Sequence, residues 1–114
     1  MQERDIGIIE HIIGYCREID ATLSYFGTSE EAFRNNFIFR NAVSMCLLQI
    51  GELAGKLSRE FIETHPEQPW AKMRGMRNIV AHAYGAIDIE TVWNTATKNI
   101  PPLYSYCANL LSSL

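Results

Sequence analysis

What most constrains this chain is the spacing of its apolar residues, which return every three or four positions and never alternate. In the first segment Ile6, Ile9, Ile12, Ile13, Cys16, Ile19 and Leu23 recur at those steps, and Arg4, Glu10, Arg17 and Glu18 mostly occupy the other faces. A stripe of this kind is one side of an amphipathic α-helix of about five or six turns, ending near Gly27. Farther on, Val43, Ile50 and Leu57 are spaced by sevens, with Cys46, Leu47, Leu53, Ala54 and Phe61 in the same stripe. This predicts a second long helix from Phe37 to Glu63. Sevenfold spacing suits near-antiparallel packing at a shallow crossing angle, as in a helical bundle.

Between these two, Thr28 and Glu31 have the spacing of a capping box and predict a short helical stretch. Thr64-His65-Pro66 ends the second long helix, and a loop runs on to Pro69. A third helix is expected from Pro69-Trp70 through Val80 to about His82, with Gly85 as the break. Asp88 then caps a fourth helix carrying Val92, Trp93 and Ala96. Pro101-Pro102 must kink or restart it, because neither residue has an N–H to give and each crowds the preceding turn. The last turns, from Leu103 to Leu114, should bury Tyr106, Cys107, Leu110 and Leu111. The fold class is therefore all-α: an up-and-down bundle of four to five helices in a single domain over residues 1–114, a length sufficient for one core and too short for two.

The formal charge of −3 limits how the chain can meet a polyanion. A protein that grips nucleic acid along its whole surface is basic, since affinity comes largely from neutralising phosphates. Any RNA contact here must come from a local basic patch or from positioned chemistry at a small site. Cys16, Cys46 and Cys107 are odd in number and never paired as C-x-x-C, which gives neither a disulfide framework nor a zinc site. They are read as buried free thiols in a reducing compartment. Glu3, Arg4 and Asp5 are the wrong start for a signal peptide, and no apolar run is read as reaching membrane-spanning length. A cytoplasmic protein without a membrane contact is expected.

One stretch gathers chemistry. Lys72 to Tyr84 holds Lys72, Arg74, Arg77, Asn78, His82 and Tyr84 within thirteen residues of an otherwise acidic chain. Arginine suits a pentavalent phosphorane, because its fixed fork of donors can hold two non-bridging oxygens at once. Histidine can both take and give a proton near neutral pH. RNA cleavage needs a base for the 2′-OH and a cation for the phosphorane, and this segment has both with no metal and no cofactor. On a straight helix, however, five residues turn a side chain by about 140°, so Arg77 and His82 do not share a face, whereas Asn78 and His82 do. The pair converges if the arginine stem swings round, if the helix loosens near Gly85, or if a second subunit supplies its own copy.

A bare R-x-x-x-x-H arises by chance in roughly one chain in ten of this length, and R-N-x-x-x-H-x-Y is rarer by about three orders of magnitude. Arg77-Asn78-Ile79-Val80-Ala81-His82-Ala83-Tyr84 resembles the signature of HEPN domains of the HepT-like family. The Ile50-Gly51-Glu52 turn of the second helix, Met73 through Arg77, Ile87-Asp88 leading to Val92-Trp93, and the late proline before Leu103 agree with it. The resemblance covers nearly the whole chain. It implies an all-helical homodimer in which two R-x-x-x-x-H motifs face a common cleft. It further implies an RNA-cutting toxin, encoded beside a minimal nucleotidyltransferase (MNT-type) antitoxin that transfers AMP units to the tyrosine of H-x-Y. Carried onto this sequence, Arg77 and His82 are catalytic, Asn78 is a positioning residue and Tyr84 is the site of AMPylation.

Bland readings stand beside these. Arg77 and His82 could be a surface arginine and a histidine at a helix C-terminus, Asn78 an exposed polar position, and Tyr84 an amphipathic residue closing a helix end. Glu52 either orients a basic side chain near the cleft or is a solvated carboxylate. Lys72 and Arg74 either guide phosphate or form a solvated helix face. Trp70 and Trp93 are read as core anchors, and Phe33, Phe37 and Phe39 as core or dimer interface. At the level of function, the metal-independent endoribonuclease has one main rival: a non-catalytic helical partner of a nucleotidyltransferase, assisting nucleotide or substrate binding.

Overall fold

Two helices set the frame, and contacts at both of their ends fix how they lie. The computed structural model describes residues 1–78, 80 and 88–114. Helix α1 runs from Glu3–Phe26 and α3 from Phe37–Ala54. At one end of the pair the Phe26 and Phe39 rings stack with centroids 4.8 Å apart. At the other end the buried Asp5 carboxylate accepts from the Ser58 N–H at 2.8 Å and from its hydroxyl at 2.6 Å. The start of α1 thus meets the chain just beyond the end of α3, and the two helices are antiparallel. At 1.5 Å per residue, the 24 residues of α1 span about 36 Å, most of the 42 Å long axis of the molecule. The third long helix is the last, Ile100–Ser112 (α7 below), which packs on α1.

The short elements close the frame. Helix α2, Glu30–Asn35, is capped by Ser29, whose side chain accepts from Ala32 N–H, so the cap falls one residue later than the capping box predicted. Asn36 then caps α3 by accepting from the N–H groups of Ile38 and Phe39. The expected single helix from Phe37 to Glu63 is two. It stops at Ala54, turns through Gly55–Leu57, and restarts as α4, Arg59–Thr64. The break is fixed at Ser58, which adopts an extended backbone and accepts from Phe61 N–H as an N-cap while Asp5, far away in the chain, holds it from outside. Leu57 and Phe61 stay buried across the turn, which is why the sevenfold pattern continues through it.

Helix α5, Trp70–Arg74, is followed by a turn at Gly75 and by helical residues 76–78. The expected run to His82 and the break at Gly85 lie outside the described residues. Asp88 caps α6, Ile89–Asn94, by accepting from Thr91 N–H. Between α6 and α7, Thr95–Asn99 form a π-helical turn in which the Ile100 N–H reaches back to the Thr95 carbonyl. This wider turn restarts the helix and puts Pro101 and Pro102 in the first turn of α7, where their missing N–H groups are not needed.

The core follows the stripes: Ile9, Ile12, Cys16, Ile19, Val43, Leu47, Ile50, Leu103 and Cys107 are all buried. Tyr106, Leu110 and Leu111, expected inside, are half-buried and lie against the core from its edge. Two aromatic groups close the ends. Phe33, Phe39 and Trp93 pack edge and tilt at one; Phe61, Trp70 and Tyr106 do so at the other. Phe37, by contrast, is exposed. Helix α3 is long and apolar enough to cross a membrane, contrary to the reading of the sequence. Its apolar face is nevertheless occupied, because Phe39, Val43, Cys46, Leu47, Ile50 and Ala54 pack inside the protein. The chain is an all-α bundle.

Candidate active site

The segment that leads into the motif is amphipathic, and its apolar side decides where its basic side chains go. Trp70, Met73, Met76 and Val80 are buried, at steps of three and four. Lys72, Arg74, Arg77 and Asn78 are left exposed. Trp70 fixes the start of the segment by donating from its indole N–H to the His65 carbonyl at 2.8 Å. The Gly75 turn is held by the Gly75 N–H on the Lys72 carbonyl and the Asn78 N–H on the Gly75 carbonyl.

The buried side rests on α3, and at Gly51 the two backbones come close together. A Cβ at Gly51 would stand 3.1 Å from the Met73 carbonyl oxygen, 3.2 Å from the Arg77 nitrogen and 3.3 Å from the Met76 Cβ. The next residue of α3, Glu52, takes the Arg77 side chain: its Oε1 lies 3.1 Å from Arg77 Nε. Glu52 is thus paired with a basic side chain while remaining 39% exposed. The Arg77 side chain is 68% exposed, and an arginine open to solvent can fork onto a phosphate.

The other basic residues separate. Arg74 extends over the end of α3, its Nε 3.7 Å from where a Cβ of Gly55 would be, a position favoured by the negative end of the helix dipole. Lys72 borders a different feature, a cleft of about 190 Å³ shared with Gln68, Asn99 and Pro102. The site thus brings together Glu52 and Arg77, with Asn78 exposed beside Arg77 in the chain, Arg74 over the end of α3 and Lys72 to one side. His82 and Tyr84 lie outside the described residues, so the distance between Arg77 and His82 does not enter this geometry.

Several other reactive groups among the described residues are engaged within the fold. Burial pushes the Cys16 and Cys107 thiols up to about 12 and Cys46 up to about 11, which keeps all three protonated. Tyr106 is also raised, by burial and by its hydrogen bond to Glu67, whose carboxylate that bond lowers in turn. His65 stacks on Phe61 and shares Nδ1 with the Phe61 carbonyl. Among the described residues no group of three or more His, Cys, Asp or Glu side chains is placed to hold a metal ion.

Residues 12–110 match the family described as Ribonuclease HepT-like. The chain belongs to this family. Two of its relatives match it over most of both lengths. A candidate RNase of Methanocaldococcus jannaschii is 34% identical over 105 residues, which cover 90% of this chain and 84% of the relative. A candidate RNase of Caldanaerobacter subterraneus subsp. tengcongensis is 31% identical over 103 residues, covering 90% of each. A candidate ribonuclease HepT of Thermococcus cleftensis is 39% identical over 62 residues, covering 54% of this chain and 56% of that one. No solved structure matches. Membership in the HepT-like family and the descriptions of these relatives support ribonuclease activity. The sequence resemblance to HEPN domains and the all-α bundle agree with it.

Proposed function

We propose that this HepT-like protein is a metal-independent endoribonuclease and the toxin of a pair whose antitoxin is an MNT-type nucleotidyltransferase. Arg77 holds the non-bridging oxygens of the scissile phosphate. His82 takes the proton from the 2′-OH, which attacks phosphorus, and the bond to the 5′-oxygen breaks with a proton delivered to the leaving oxygen. The products are a 2′,3′-cyclic phosphate and a 5′-OH. Asn78 positions one of the reacting groups. A homodimer brings two motifs to one cleft, in the cytoplasm, and AMPylation of Tyr84 by the antitoxin turns the enzyme off.

The observation that carries this reading is the state of Arg77: exposed, on a segment packed against α3 at Gly51, and paired at Nε with Glu52 at 3.1 Å. An exposed pair contributes only about 0–1 kcal/mol to stability, so this one serves to orient the side chain more than to hold the fold. The test is incubation of the purified protein with total RNA in EDTA and mapping of the new ends. Cleavage with cyclic-phosphate ends, and none of DNA, is expected, because DNA lacks the 2′-OH. Activity that vanishes in EDTA and returns with magnesium would overturn the mechanism. Light scattering on the active protein checks the shared cleft, and a fully active monomer would remove it.

A further inference from the structure

We infer that Gly51 is a positioning residue for the reaction: its missing side chain is what seats the Arg77 backbone against α3, one residue from the carboxylate that holds the Arg77 side chain. The inference rests on the reading of Arg77 as catalytic and adds a residue that touches neither substrate nor reacting atoms.

Glycine in mid-helix is unfavourable in itself, because it gives up more backbone freedom than any other residue, and alanine is the better helix former. Gly51 lies inside α3 and is buried, so something other than helix formation accounts for it. At Gly7 and Gly14 of α1 a Cβ would have nothing within 4 Å, and at Gly55 it would meet only ordinary contacts, from 3.4 Å outward. Gly51 alone of these four meets three atoms of the motif segment within 3.3 Å, and two of them are backbone atoms, Met73 O and Arg77 N. Backbone cannot rotate out of the way as a side chain does. A methyl group there must push the segment off α3 by a few tenths of an ångström, and the displaced atoms include the nitrogen of Arg77 itself.

Glu52 stays where it is during such a shift, because it belongs to α3. The consequence is a mismatch between the Arg77 backbone and its side-chain anchor. Gly51 fixes one end of the arginine and Glu52 fixes the other, so adjacent residues of one helix set the position and the direction of a single guanidinium. Misplacement of a catalytic group by about 1 Å can cost as much as a hundredfold; a shift of a few tenths should cost about tenfold, in kcat more than in KM.

The experiment is a double-mutant cycle on RNA cleavage with Gly51→Ala and Arg77→Ala, run on the full chain, with Gly14→Ala and Gly55→Ala as controls and helicity followed by circular dichroism. Gly51→Ala should retain native helicity and lose about tenfold in kcat, while the two controls keep wild-type rates. In the Arg77→Ala background, adding Gly51→Ala should change the residual rate by less than about twofold, since the guanidinium through which Gly51 acts is already gone. A multiplicative loss in the double variant, wild-type activity in Gly51→Ala, or loss of helicity in Gly51→Ala would each overturn the inference; the last would make Gly51 a requirement of the fold instead of the site. An active Arg77→Ala protein is a different result, and it would bring down the proposed mechanism first.

Discussion

Glu52 Oε1 lies 3.1 Å from Arg77 Nε and ties the side chain of the motif segment to α3. The side chains are 68% and 39% exposed, so the pair adds little to stability. On the proposed mechanism its effect is on geometry, to which a cation that meets the transition state is sensitive.

This gives the first prediction. Arg77→Ala and Arg77→Lys should both fold and both lose roughly a hundredfold or more of RNA cleavage, the scale of removing one transition-state donor. Glu52→Ala should cost less, about tenfold, and Glu52→Gln about as much, because both remove the charge that pairs with Arg77. Thermal unfolding should move by no more than a few degrees in each. Cleavage rates and melting curves on the four variants decide it. A fully active Arg77→Lys protein would show that a point charge suffices.

A second prediction concerns the other carboxylate that organises the fold. Asp5 is buried, and both its oxygens are used by Ser58: one by the N–H at 2.8 Å, the other by the hydroxyl at 2.6 Å. Hydrogen bonds to a charged group contribute about 1.5–3 kcal/mol each, and removing the acceptor strands a buried donor. Asp5→Ala should therefore destabilise the protein by about 2–4 kcal/mol in urea unfolding, with the slope unchanged. Asp5→Asn, which retains one acceptor, should lose about half as much. A loss below about 0.5 kcal/mol for Asp5→Ala would show that the contact is not what breaks the second long helix at Ser58.

How much of this the chain displayed before folding can be read off these residues. The long helices were legible because burial of one stripe is a repeating requirement, and Val43, Ile50 and Leu57 satisfy it in sequence order. The break at Gly55–Ser58 was not, since it depends on Asp5, fifty-three positions away in the chain, and an acidic residue near an N-terminus reads as solvated. Arg77 stood out through its neighbours in the motif. Its partner Glu52 could be noted but not assigned, because a lone carboxylate in an apolar run has no partner until the helices are laid together. Lys72 and Arg74 looked like one basic cluster, but two positions apart on α5 with Met73 buried between them, they point to different places. The π-helical turn before Pro101 resolves a conflict that the sequence posed without an answer: apolar periodicity running straight into two residues that cannot continue a helix.

The third prediction uses the cysteines. Burial raises Cys16 and Cys107 from an ordinary value of 9.0 to about 12. An unfolded chain loses these thiol protons above pH 9 while the folded one keeps them until about pH 12. Their protonated burial therefore supports the fold fully below pH 9 and is lost as pH rises toward 12. Between those limits each thiol lowers stability by up to about 1.4 kcal/mol per pH unit. Urea midpoints measured from about pH 8 to 11 should fall, and Cys16→Ala or Cys107→Ser should flatten the fall. In native protein at about pH 8, iodoacetamide should leave both unmodified. Rapid alkylation of either without unfolding would contradict their burial.

The last prediction is that Tyr84 is the off switch. It stands two residues beyond His82 in the motif, and adding AMP to its hydroxyl would place a bulky group and at least one negative charge beside the residues that meet the scissile phosphate. On the proposed mechanism the guanidinium of Arg77 receives a phosphate, and a tethered phosphate would be a competing anion at very high local concentration. An RNA phosphate approaching Arg77 would meet a steric block, like-charge repulsion and an occupied cation together. The unmodified hydroxyl takes no part in the proposed chemistry, so Tyr84→Phe should keep at least about half of the nuclease activity, the small change expected when no transition-state donor is removed. The same variant should escape neutralisation by a cognate nucleotidyltransferase with ATP. Intact-mass measurement after co-expression reads this directly: wild-type protein should gain AMP-sized increments and Tyr84→Phe none. Increments on both proteins, or on neither, would refute the switch and leave direct binding of the antitoxin as the means of control.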